Sequence, residues 1–210
     1  MISVRFLGNA CVEIISDLDH VIIDPNYLVT PRRGINKVLI THEHDDHLDP
    51  EKLVEIRNKY IRENQELEIY ASKSVNEKLD MGIEVVKHGD EIQLENGTVK
   101  VIKNKCWKAK DCLAFLLLLA GREILHTADS AQYSDELRAV PQQVDCCFVA
   151  CFEDYYKDYF EFMRKISPRL VIPYHYGKGD EEMAKNLVDF VKEQNKVNIR
   201  YLEIGGEFEL

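Results

Sequence analysis

No Pro-, Gly- or Ser-rich stretch and no low-complexity segment interrupts these 210 residues. Without a linker to divide it, the chain is expected to fold as one domain over residues 1–210. Long hydrophobic runs are missing too. The longest, Leu113 to Ala120, is far too short to cross a bilayer. The first residues, Met1-Ile2-Ser3-Val4-Arg5-Phe6, look like the start of a strand and not like a signal peptide, and no membrane partner is expected. There is no basic stripe. The net charge is -10, with Lys and Arg scattered among acids. Nucleic-acid binding needs clustered cations, so such a partner is not expected. The six cysteines include no Cys-x-x-Cys pair, and with no export signal the expectation is buried, reduced thiols in a cytoplasmic protein. The sequence leaves the oligomeric state open.

What the chain does have is a concentration of donors. After the apolar run Val38-Leu39-Ile40 comes Thr41-His42-Glu43-His44-Asp45-Asp46-His47. The run predicts a buried strand, which puts the cluster on the loop leaving it. Imidazole and carboxylate together suit Zn, Mn or Fe. The spacing is not that of a helical zinc-protease motif, because position i+4 from His42 is Asp46. Two later segments have the same character. Glu123 to Leu125 leads to Asp129, and Leu170 to Pro173 leads to His175. Each donor follows a strand, where α/β scaffolds place their chemistry.

The hydrophobic periodicity predicts strands at 2–7, 11–15, 21–23, 38–41 and 67–71. More follow at 83–86, 92–94, 99–102, 113–119, 123–127, 145–150, 170–173 and 199–204. Asp49-Pro50-Glu51 reads as a helix start. Phe152, Tyr155, Tyr156, Tyr159, Phe160 and Met163 form a stripe spaced for the core face of one helix. Strands first, then strand–helix alternation, suggests two sheets with helices outside.

In this order, Phe6-Leu7-Gly8, Ile22-Ile23-Asp24-Pro25, Thr41 to His47, Thr127-Ala128-Asp129-Ser130 and Ile172-Pro173-Tyr174-His175-Tyr176 resemble the metallo-β-lactamase-fold hydrolase superfamily. The nearest likeness is to the branch containing ascorbate-phosphate lactonase. The resemblance implies an αβ/βα sandwich, two mixed sheets flanked by helices, with one or two divalent ions at one edge. It implies His42 and His44 on a first ion, Asp46, His47 and His175 on a second, and Asp129 bridging both. Asp24 would sit beneath, fixing a ligand imidazole, and Asp46 or Asp129 would move the proton. Zinc is the first choice, with manganese or iron next.

The chain departs from the family in one ligand. The family's third first-ion histidine follows the strand matching 99–102, where this chain has Lys103 to Asp111 and no histidine. Alignment on Trp107 puts Lys108 in that slot, with Cys106 and Asp111 as nearby ligand types. Asn9 and Ala128 stand where relatives often have histidine and glycine. The second site is therefore complete by sequence and the first is not. Lys108 and Tyr176 are candidates for an anionic substrate group. The expected activity is hydrolysis of a small ester, lactone or phosphodiester by a metal-activated water. The competing reading is a weakly active or inactive member that keeps the fold and one metal as a binding or structural protein.

Overall fold

The computed structural model describes residues 1–79, 81–194 and 196–210. Its strands are β1 (Ser3–Gly8), β2 (Cys11–Ile15), β3 (His20–Ile23), β4 (Lys37–Ile40), β5 (Glu68–Ala71), β6 (Glu84–Val85) and β7 (Glu91–Leu94). They continue as β8 (Gly97–Asn104), β9 (Cys112–Leu119), β10 (Arg122–His126), β11 (Cys146–Ala150), β12 (Val171–Tyr174) and β13 (Glu207–Glu209). The helices are α1 (Pro50–Lys59), α2 (Lys73–Lys78), α3 (Asp135–Arg138), α4 (Tyr156–Ile166) and α5 (Glu181–Glu193).

Two sheets face one another. One runs β13-β1-β2-β3-β4-β5-β6 and the other β12-β11-β10-β9-β8-β7. Each is antiparallel at its hairpin end and parallel beyond it. β3, β4 and β5 pair in parallel, as do β10, β11 and β12. The parallel strands read as continuous apolar runs because both faces are covered; β11, Cys146-Cys147-Phe148-Val149-Ala150, is buried throughout. One core cluster joins the two inner faces, from Phe6 and Ile23 to Phe115 and Leu125. A second packs Leu53, Ile56 and Val75 of α1 and α2 onto the outside of the first sheet. Turn chemistry fits this plan. Asp49 caps α1, accepting from the Glu51 amide at 2.9 Å. Gly97 has φ 154°, and a Cβ there would lie 1.9 Å from the Leu118 carbonyl oxygen, so the 96–97 hairpin admits only glycine.

Two expectations from the sequence are corrected. No strand spans 199–204. Ile199 makes one isolated bridge to Val171, and the chain then crosses to the other sheet, where Gly205 donates to the Phe6 carbonyl at 2.7 Å. The last strand is β13, antiparallel to β1. A segment that changes sheets cannot keep a ladder with either. The aromatic stripe also divides. α4 begins at Tyr156, after a 3-10 turn over Glu153–Tyr155. Tyr159, Phe160 and Met163 are buried, while Phe152 and Tyr155 swing out to the cavity described below.

Candidate metal centre

β3, β4, β8, β10 and β12 all end at the same edge, and the functional side chains follow those ends. At three of them the first residues out take a left-handed backbone turn: Asp24 (φ 52°), Ala128 (φ 54°) and His175 (φ 70°). This conformation costs an L-residue about 1–2 kcal/mol and clusters at functional sites. Here it turns each strand end sharply into the gap between the sheets.

Asp24 is fully buried and organises the loop after β4. It accepts from the Thr41 amide at 2.7 Å and from the Thr41 hydroxyl at 2.8 Å. Its Oδ2 lies 2.7 Å from His47 Nδ1. A carboxylate there calls for a proton on Nδ1, so Nε2, facing the gap, is the nitrogen left to bind a cation, which would displace its proton. The Thr41 hydroxyl gives its proton to Asp24, so it accepts from His42 Nδ1 at 2.9 Å. His42 Nε2 is thereby freed as well.

The six donors expected to converge do so. Asp129 lies between two groups. Its Oδ1 is 3.6 Å from His42 Nε2, and its Oδ2 is 3.6 Å from His47 Nε2 and 3.8 Å from His175 Nε2. Asp46 Oδ2 is 3.2 Å from His175 Nε2. The groups able to hold an ion are His42, His44, Cys106 and Asp129, and Asp46, His47 and His175, each with donor atoms within 4.8 Å of one another. Imidazole nitrogens confront each other: His42 Nε2 and His44 Nδ1 at 3.1 Å, His47 Nε2 and His175 Nε2 at 3.1 Å. Four nitrogens turned pairwise together suit a shared cation. Around a tetrahedral ion with bonds of ~2.0–2.3 Å, donor atoms sit roughly 3.3–3.6 Å apart. Asp129 Oδ1 is buried without a hydrogen-bond partner, an expense that a cation would remove. The donor set fits divalent metal.

The electrostatics follow from this crowding. Burial opposes charge on His47, but Asp24 and Asp129 outweigh it and lift its pKa to about 10. Burial and the neighbouring His47 push His42 down to about 4. Burial works against the Asp129 charge, yet His47, His42 and His175 hold its carboxyl well below the usual range. Asp46 is also depressed, first by the hydrogen bond with His175.

The remaining candidates divide. Cys106, not Lys108, takes the position beside His42 and His44. Lys108 Nζ lies over the Trp107 ring, 4.1 Å from its centroid. The reason is local: the chain turns at Lys108 (φ 59°), with Ala109 N donating to the Cys106 carbonyl at 3.4 Å. Asp111 is in neither donor group. Tyr176 does not face the cavity. It is buried against Phe6 and Tyr201, ring centroids 4.7 and 5.9 Å away, and its hydroxyl donates to the Leu202 carbonyl. Asn9 binds the Asn26 carbonyl at 3.0 Å, tying the β1–β2 turn in place. His126 is a packed histidine against Tyr174, held by burial at a pKa of about 4.

Sequence reasoning missed two positioning residues. Glu43 accepts from the Lys110 amide at 2.7 Å and from the Ser74 hydroxyl at 2.9 Å, pinning the Cys106 loop. Asn104 donates to the Thr127 carbonyl at 2.6 Å and accepts from the Ser134 amide at 3.2 Å, joining the ends of β8 and β10. Neither carries a motif; each is visible only through partners 23 or more residues away.

A cavity of about 800 Å3 opens over both groups. Residues 3–175 match the model of the beta-lactamase superfamily domain. The chain belongs to the beta-lactamase superfamily. It is 27% identical to a UPF0173 protein of Pyrococcus abyssi over 179 residues, 81% of each chain. The metallo-beta-lactamase fold protein YhfI from Bacillus subtilis has a TM-score of 0.83 at 16% identity, covering 100% of this chain and 99% of its own. Igni18, a metallo hydrolase from Ignicoccus hospitalis, has a TM-score of 0.77 at 14% identity, covering 100% and 99%. At those identities the two structures speak for the fold alone. A donor set that fits a divalent ion thus lies at the strand-end edge of a beta-lactamase superfamily member.

Proposed function

We propose that the protein hydrolyses a small ester, lactone or phosphodiester at a centre formed by His42, His44, Asp46, His47, Asp129 and His175, with zinc as the first choice of metal. The observation that carries this reading is Asp129, its Oδ1 buried without a partner, between two sets of confronting imidazoles beneath an open cavity. A bound divalent ion supplies a Lewis acid that lowers the pKa of water from about 16 towards ~7. The chain's own groups do the rest. Asp24 and Thr41 fix the tautomers of His47 and His42. Asp46, the more exposed carboxylate with a side chain 53% accessible, is placed to take and return a proton at the cavity floor. Asp129, with a side chain 10% accessible and lying between the two donor groups, serves to hold the centre.

The cavity wall favours an anionic substrate with a flat apolar part. Lys105 and Lys108 line it, and neither has a carboxylate partner among the ion pairs of the described residues. Lys78, also in the wall, is held by Asp45 at 2.5 Å. Trp107, Phe152 and Tyr155 supply the aromatic surface. The six free cysteines suit a cytoplasmic setting. Among the described residues no helix is long and apolar enough to cross a membrane.

Metal content of protein purified without chelator, with activity on lactones, carboxyl esters and phosphodiesters, tests the reading. Bound metal with metal-dependent turnover of one class is the expected result. Metal without turnover of any class would favour the inactive binding protein, and absence of metal after zinc or manganese reconstitution would remove both.

A further inference from the structure

We infer that the Cys106 thiolate completes the first metal group, making it a soft, sulfur-containing site beside a second site of nitrogen and oxygen donors only. The inference rests on the metal-centre reading above. Cys106 Sγ is 3.4 Å from His42 Nε2 and 4.0 Å from His44 Nδ1. A sulfur at about 2.3 Å and a nitrogen at about 2.0–2.1 Å on one tetrahedral ion lie roughly 3.6 Å apart, between those two distances. Asp129 Oδ1, on a side chain nine-tenths buried, points into the same group with no hydrogen-bond partner. Two imidazoles, a thiolate and a carboxylate make four ligands, so the site needs no further protein donor.

The thiol is also unlike the others in the chain. Cys11, Cys112, Cys146, Cys147 and Cys151 are buried, while Cys106 is partly exposed on the cavity wall. Its loop is held from outside by Glu43 through the Lys110 amide, and the Lys108 ammonium is drawn away onto Trp107. Both arrangements leave the sulfur facing the donors. On ligation the thiol proton leaves to solvent and the S–metal bond forms. Thiolate selects softer ions such as zinc or cobalt over manganese or magnesium, whereas Asp46, His47 and His175, without sulfur, discriminate against manganese less strongly. The two sites therefore differ in metal selectivity.

Cobalt(II) provides a readout that does not depend on turnover. The metal-stripped wild type, Cys106→Ser and Cys106→His are each titrated with cobalt and followed by absorbance and chelator competition. Circular dichroism confirms the fold of each variant. The expected result is an intense near-ultraviolet thiolate-to-cobalt charge-transfer band in the wild type, absent from both variants. Cys106→Ser weakens one equivalent at least tenfold, and Cys106→His restores it without the band. Excess manganese should displace cobalt from the other equivalent more readily than from this one. Cobalt bound by wild type and Cys106→Ser with equal affinity and no charge-transfer band would overturn the inference and leave the metal centre standing. If no variant binds cobalt, the metal-centre reading fails and takes the inference with it.

Discussion

Replacing Asp24 by Asn isolates the tautomer argument. The substitution keeps the shape, and Asn tolerates the left-handed backbone at this position (φ 52°). What changes is one oxygen into an NH2. In one orientation the amide oxygen still accepts from the Thr41 amide, now at 2.7 Å, and NH2 faces His47 Nδ1, 2.7 Å from the present Oδ2. His47 Nδ1 must then accept, its proton moves to Nε2, and the lone pair aimed at the centre is lost. Removing such an outer partner costs about 10–100-fold in metal affinity, or ~1.4–2.7 kcal/mol. In the flipped orientation NH2 opposes the Thr41 N–H. That leaves buried donors face to face at a cost of about 1–3 kcal/mol in stability. Either way a deficit appears in one of two measurements. Competition with a chromophoric chelator reads the affinity, and thermal unfolding of the metal-free protein reads the stability. A D24N protein matching wild type in both would refute the assignment of Asp24 as the residue that fixes His47.

Three further outcomes follow from the same structure. Ala128→Gly should stabilise the fold by roughly 0.5–1 kcal/mol in chemical denaturation, because release of the left-handed strain of ~1–2 kcal/mol outweighs an unfolded-chain entropy cost of ~0.4–1 kcal/mol; a loss of stability would count against strain at φ 54°. Glu13 is fully buried and accepts from Arg5, from His20 Nε2 at 2.8 Å and from the Arg32 amide at 2.7 Å, so Glu13→Ala should cost about 3–5 kcal/mol by stranding buried donors, read by the same denaturation assay. For the metal-free protein, Asp24, Asp46 and Asp129 titrate below the ordinary 3.8, and their contribution to stability is present above that pH and lost as pH falls. His47, raised from 6.5 to about 10, contributes fully below 6.5 and loses its contribution as pH rises through its folded value. His42 and His126, held near 4, weaken the fold as pH falls below 6.5, so the melting temperature in chelator should peak near 6.5 and fall on both sides, and a flat profile would contradict the charged cluster.

The sequence alone carried most of the strands and the loop position of the 42–47 cluster, because buried strands declare themselves by apolar runs. The six donors that converge, and Asp24 beneath them, were named by the resemblance of the motifs to the superfamily; the fold brings them together because they follow strand ends that share one edge. Local pattern was not enough where two distant segments compete for one place. Periodicity extended the aromatic helix back to Phe152, but the 3-10 turn sends Phe152 and Tyr155 to the cavity. It also drew a strand at 199–204, where the chain instead passes between sheets. Position counting gave Lys108 the slot beside His42, whereas side-chain direction is set by the turn at Cys106 to Ala109 and by the grip of Glu43 on the Lys110 amide. Tyr176 sits one residue from His175 yet faces the core, because the left-handed turn at His175 (φ 70°) redirects the chain between them. Sequence fixes which groups are available and roughly where; only the tertiary packing decides which way each of them points.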